Sequence, residues 1–119
     1  MKNTIMNITV MLLMFLFIQK TSVAQGSMKT DTITVFGNCG QCKTRIEEAS
    51  FIKGVKIAEW NTKTKILTIT YNRDKTSREQ IMAAVAKAGH DSDNHKAEDK
   101  AYKKLPGCCA YRTGTCSHD

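Results

Sequence analysis

The sequence predicts an α+β sandwich whose elements run β-α-β-β-α. Three observations carry this. Polar threonines alternate with Ile33 and Val35 over residues 31–36, the period of a half-buried strand. Two stretches have apolar residues at helical spacing, and each stops at a glycine, Gly54 and Gly89. Between them lie two runs rich in β-branched and aromatic residues, 55–60 and 65–71, separated by the polar Asn61-Thr62-Lys63-Thr64.

The first helix follows the break at Gly37-Asn38 and is marked by Cys42, Ile46, Ala49 and nearby Phe51. The two runs after Gly54 read as a hairpin. In its second strand Leu67, Ile69 and Tyr71 share one face. The first is irregular, because Val55 and Ile57 face one way while Ala58 and Trp60 face the other, so a bulge is expected. The second helix has a capping box, either Thr76 with Glu79 or Ser77 with Gln80, and an apolar stripe of Ile81, Ala84, Val85 and Ala88. A final strand after Gly89 would complete a split βαβ sandwich. Residues 90–104 are mostly charged or small, however, and Ala97, Ala101 and Leu105 fit a short helix better. The last strand is therefore expected to be weak or replaced. Ile46, Ile57, Leu67, Ile69, Ile81 and Val85 read as core, with Trp60 and Tyr71 as large packing or rim residues.

Ahead of this unit, Lys2 precedes an apolar run over residues 5–18, and Ser22-Val23-Ala24 supplies the small residues of a signal-peptidase site. The run is shorter than the roughly 20 residues a membrane-spanning helix needs. The expected organisation is a signal peptide over 1–24, one small domain over 25–91, and a charged, partly helical extension with a cysteine-rich tail over 92–119. Export to a periplasm or to the medium follows, without stable membrane insertion after cleavage.

The 119 residues carry a net charge of +7. Basic and acidic residues are interspersed, with no basic run or aromatic interleaving, which argues against nucleic acid as a partner. No paired carboxylates, no nucleophile with an attendant base and no phosphate-cradling loop is visible, so binding rather than catalysis is expected. All five cysteines follow residue 24, and an odd number leaves one without an internal disulfide partner.

Cys39-Gly40-Gln41-Cys42 places two sulfurs where a strand hands over to a helix, so that one turn aims both at a single ion. Thiolates select soft metals. The helix N-terminus, with Lys43 and Arg45, is expected to ease ionisation of the thiols. Two sulfurs without a fixed third suit linear copper(I), whereas zinc(II) wants four ligands. A disulfide between the two cysteines, structural or redox-active, is the competing reading.

With this turn in place, residues 33–90 resemble the heavy-metal-associated domain family, which includes periplasmic mercury-binding proteins, copper chaperones and the N-terminal domains of metal-pumping ATPases. The resemblance implies a ferredoxin-like βαββαβ fold and metal binding by the two cysteines of a GMxCxxC loop, positions matched here by Cys39 and Cys42. It also implies handover to a metal-transporting ATPase or other metal-receiving protein through shared-thiolate intermediates. Two features depart from the family pattern. Phe36-Gly37 stands where Gly-Met is usual, removing the methionine that packs beneath the loop, and the C-terminal extension has no counterpart.

The same resemblance puts the loop holding His90 beside the metal turn, as a further ligand, a hydrogen-bonding group or a solvated histidine. Cys108, Cys109, Cys116 and His118 cluster in the tail and are candidates for a second metal site, for sulfurs that reach back to the first, or for disulfides. The function expected is an exported carrier or scavenger of copper(I), with mercury(II) or zinc(II) as other ions. The alternatives are a thiol-disulfide redox protein and a mercury- or zinc-binding module.

Overall fold

The computed structural model describes residues 1–15 and 27–114. Helix α1, Lys2–Phe15, takes up most of the N-terminal apolar run. Among the described residues no helix is long and apolar enough to cross a membrane. The expected cleavage segment, Cys116 and His118 lie outside the described residues.

The domain follows as β1 (Met28–Thr34), α2 (Gly40–Ser50), β2 (Val55–Trp60), β3 (Ile66–Asn72) and α3 (Arg78–Lys87), then the single turn α4 (Asp99–Tyr102) and a 3-10 turn, Gly107–Cys109. The strands form one antiparallel sheet in the order β1-β3-β2. Ile33, Leu67, Ile69, Ala58 and Trp60 point from it toward Ile46 of α2 and Ile81, Met82 and Val85 of α3, making a closed apolar core. Burying that face is what favours the sandwich, since neither helix would persist alone at this length.

The expected βαββα order is what the chain adopts, and its missing last strand is replaced as anticipated. After Gly89 the chain runs along the outer edge of β1, where it forms one isolated bridge, Val35 with Ser92. Phe36 N donates to Asp91 O (2.8 Å) and Asp93 N to Thr34 O (3.2 Å). The edge is covered, yet no run of apolar residues lets a strand extend further.

Local chemistry accounts for each boundary. Ser77 caps α3 by accepting from Gln80 N, and Ser77 N donates to Gln80 Oε1, so of the two possible boxes this one forms. Gly54 and Gly89 both take a φ of +100°, open to glycine at little cost. In the hairpin loop Asn61 Oδ1 accepts from Lys63 N and Thr64 N, and Lys65 takes the left-handed φ of 62° that returns the chain.

The bulge in β2 falls between Val55 and Ile57 and corrects one core assignment. It places Lys56 and Ile57 successively outward, so Ile57 is exposed at 47% while Ala58 and Trp60 turn inward. Phe51 is the exposed C-cap of α2, and Ser50 before it is buried, donating to Ile46 O at 2.6 Å.

Candidate metal centre

The sulfurs of Cys39 and Cys42 stand 3.8 Å apart at the start of α2. Cys39 is the N-cap residue, in extended conformation, and its carbonyl accepts the first helical bond from Lys43 N. Cys42 lies one turn in, on the face of the helix that meets the core, and is fully buried; Cys39 is half-buried at the rim. The turn therefore presents one sulfur toward solvent and holds the other beneath it, where Asn38 N donates to Cys42 Sγ at 3.4 Å.

Burial by itself would raise the Cys39 thiol, but the backbone amides of Cys42 and Gln41 and the thiols of Cys42 and Cys108 outweigh it and hold it below the ordinary value. The helix N-terminus does contribute, as the sequence led one to expect. Lys43 plays a different part. Its Nζ is paired with Glu47 and donates to Trp60 O, while Glu47 accepts from Trp60 N, so these two side chains tie α2 to the end of β2.

Gly37 occupies the position where the family pattern has methionine. A Cβ on it would lie 3.0 Å from Cys42 Cβ, 3.1 Å from Trp60 Cη2 and 3.2 Å from Ile46 Cδ1. The space under the loop is thus already filled by Trp60, whose indole N–H donates to Val35 O at 3.0 Å. Trp60 is core here, not rim.

The C-terminal extension folds back onto this turn. The sulfurs of Cys39, Cys108 and Cys109 all lie within 4.8 Å of one another. Cys39 Sγ reaches Cys108 O at 3.5 Å, and Cys108 Sγ donates to Gln41 Oε1 at 3.0 Å. Cys109 is fully buried in the core; burial first, then the thiols of Cys42, Cys39 and Cys108, push its own thiol well above the ordinary value. All four are thiols rather than disulfides.

Two side chains anchor the extension. Tyr111 Oη donates to Gly89 O and accepts from Asp91 N, both at 2.8 Å, and its ring stacks on His90 with centroids 5.4 Å apart. Arg112 makes two bonds to Asp91, one to Asp99 and one to Ala97 O, and its guanidinium lies 4.4 Å from the centre of the Tyr102 ring. Sequence reasoning did not find this clasp, since Asp91, Tyr111 and Arg112 have no mutual spacing that marks them.

Of the candidate ligands, the structure brings together Cys39, Cys42, Cys108 and Cys109. His90 belongs to another group. It is fully buried rather than solvated, its Nδ1 lies 2.9 Å from Phe36 O, and among the described residues no hydrogen-bond partner meets its Nε2.

No family model matches this sequence, and no curated protein does. Solved structures do match. One described as a CopZ metallochaperone is 29% identical with a TM-score of 0.52, over 54% of this chain and 98% of that one. A putative copper-ion-binding protein from Bacillus anthracis is 23% identical with a TM-score of 0.54, over 56% of this chain and 97% of that one. Oxidized MerP from Ralstonia metallidurans is 28% identical with a TM-score of 0.47, over 55% and 96%. The chain resembles the heavy-metal-associated domains and has their ferredoxin-like α+β fold.

Proposed function

We propose that the chain binds a soft metal ion, copper(I) before mercury(II) or zinc(II), and that Cys39 and Cys42 capture it. The observation that carries the reading is the pair of sulfurs 3.8 Å apart at a helix N-terminus, one of them half-exposed and easily ionised. Thiolates favour soft ions over the hard cations that carboxylates attract. The likeness to a CopZ metallochaperone supports metal carriage, and capture by two thiolates supports copper(I) as the first ion to try.

The activity is ligand exchange. The ion enters on the Cys39 side, each cysteine that binds it releases its thiol proton, and the bonds to its previous ligands break as the new metal–sulfur bonds form. Handover reverses this, an incoming partner thiolate bonding to the ion before Cys39 leaves. A metal-transporting ATPase or another metal-receiving protein is the kind of partner that would complete it. The N-terminal apolar run supports export, so that the work is done in a periplasm or outside the cell.

Anaerobic titration of the reduced protein with copper(I) against a chromogenic chelator tests the reading. One ion bound per chain is expected, with affinity sharply reduced in the Cys39→Ser, Cys42→Ser double variant. Unchanged affinity in that double variant would overturn it.

A further inference from the structure

We propose that Cys108 and Cys109 are ligands of the same ion, so that the domain carries its own additional thiolates and caps its metal site from within the chain. The proposal rests on the soft-ion reading of Cys39 and Cys42 and goes beyond it in coordination number and in what controls release.

The first argument is spacing. Two sulfurs on opposite sides of an ion stand twice the metal–sulfur distance apart, about 4.6 Å for a bond of about 2.3 Å, whereas at the corners of a triangle or tetrahedron they stand about 3.8–4.0 Å apart. Cys39 and Cys42 are at 3.8 Å, the edge of a trigonal or tetrahedral site rather than of a linear one. Cys39, Cys108 and Cys109 lie within 4.8 Å of one another, and the Cys109 thiol interacts with that of Cys42.

The second argument is that the extension is built to stay. Its thiols are not reaching in on a loose tail: the 3-10 turn Gly107–Cys109 packs against the core, and just beyond it Tyr111 and Arg112 fasten the chain to Gly89, Asp91, Ala97 and Asp99. Preorganised donors do not have to be ordered when the ion arrives. Burial of Cys109 matters too, because its thiol is shielded from water and faces only the neighbouring sulfurs of Cys42, Cys39 and Cys108.

A two-sulfur site open on one side exchanges its ion readily, since the open position admits an incoming thiolate. Here that position is occupied by the chain's own sulfurs. Release to a partner then requires the 107–112 segment to lift, which breaks the metal bonds to Cys108 and Cys109, returns a proton to each sulfur, and leaves the ion on Cys39 and Cys42 for the incoming thiolate.

X-ray absorption at the copper edge, on the full chain loaded anaerobically with one equivalent of copper(I), counts the sulfurs. Three or more are expected, falling to two in the Cys108→Ser, Cys109→Ser double variant, with transfer of copper to a competing chelator at least about tenfold faster. Because Cys109 is in the core, Cys108→Ser alone serves as the gentler variant; its transfer is also expected to quicken, with an unchanged circular dichroism spectrum. Two sulfurs in the wild type, with transfer unaltered in both variants, would overturn the proposal. Copper held with unchanged affinity in the Cys39→Ser, Cys42→Ser double variant would instead remove the reading beneath it.

Discussion

The guanidinium of Arg112 grips the Asp91 carboxylate at both oxygens, Nη2 to Oδ1 at 2.7 Å and Nε to Oδ2 at 2.9 Å. Asp91 directly follows His90 on the edge of β1, so this pair ties the last described turn of the chain to the sheet. Both side chains are largely shielded, with 20% and 17% of their surface exposed. Such a bidentate contact is stronger than the usual surface pair. It bears on the metal centre because Cys109 lies three residues before Arg112.

Arg112→Ala should therefore free the 107–112 segment before it unfolds the domain. Loss of a charge-assisted contact of this kind costs about 1–3 kcal/mol. Opening the segment should expose Cys109, and its reaction with a disulfide reagent in the metal-free protein should quicken by about tenfold or more, 1.4 kcal/mol being a factor of ten. Unaltered Cys109 reactivity would show that the apolar contacts alone hold the segment.

The same pair sets an acid limit. Burial would raise the Asp91 carboxyl, but the bond from Arg112, then Ala97 N and the Arg112 charge, hold it below its ordinary value. A carboxylate with a depressed native value stabilises the fold above its unfolded value, and that stability is lost as pH falls through the native one. The Arg112 Nε signal followed by nuclear magnetic resonance should hold steady through the ordinary carboxylate range and shift only below it. In Asp91→Asn the shift should vanish, because no proton can then be taken up.

Gly37→Ala tests how the loop was rebuilt around Trp60. An added methyl meets side-chain atoms at 3.0–3.2 Å on three sides, one of them the Cβ of Cys42. Overpacking of this kind costs about 1–3 kcal/mol. Chemical denaturation should show that loss, and pairing the change with Trp60→Phe, which opens space at Trp60 Cη2, should recover part of it. Additive losses in the double variant would mean that the indole is not what excludes a side chain at position 37.

Residues of strong local pattern were legible in the sequence. Leu67, Ile69 and Tyr71 alternate without interruption, and Ile81 and Val85 keep helical spacing up to Gly89, so β3 and α3 form as their patterns require. Ile57 was misplaced because a bulge reverses inward and outward from one residue to the next, and the alternation on either side does not fix where it falls. Within the centre, Cys39 and Cys42 were visible because their spacing is local. The approach of Cys108 and Cys109 was visible only as one of several possibilities, since it depends on Asp91, Tyr111 and Arg112 meeting across a connection that carries no periodicity. His90 shows the same limit: its burial follows from Tyr111 lying over it, a contact no local rule predicts.

His90 should lower stability as the solution is acidified. Burial depresses its proton affinity, with Arg45 adding to the effect against the opposing bond to Phe36 O and the charge of Asp91. The folded protein thus holds a neutral ring where the unfolded chain would take a proton near 6.5. The stability this contributes is present above that value and is lost as pH falls below it, by up to about 1.4 kcal/mol per pH unit. Denaturation midpoints of the metal-free protein should fall between pH 7 and 5, and His90→Gln should flatten that slope.

The thiols should also differ in reactivity, in an order set by position rather than by residue type. Cys39 is half-exposed at the rim, and the amides of Cys42 and Gln41 help hold its thiol below the ordinary value, so it carries more thiolate at neutral pH and can be reached. Cys42 is fully buried beneath it, and Cys109 is buried with its thiol pushed upward. Iodoacetamide at pH 7, with the modified sites mapped by mass spectrometry, should therefore label Cys39 well before Cys42 or Cys109. Adding one equivalent of copper(I) should protect all three, because a thiolate bonded to the ion has no lone pair as available for attack. Labelling of Cys42 ahead of Cys39 would mean that the helix turn presents the opposite sulfur, and the entry side assigned to the ion would have to be reversed.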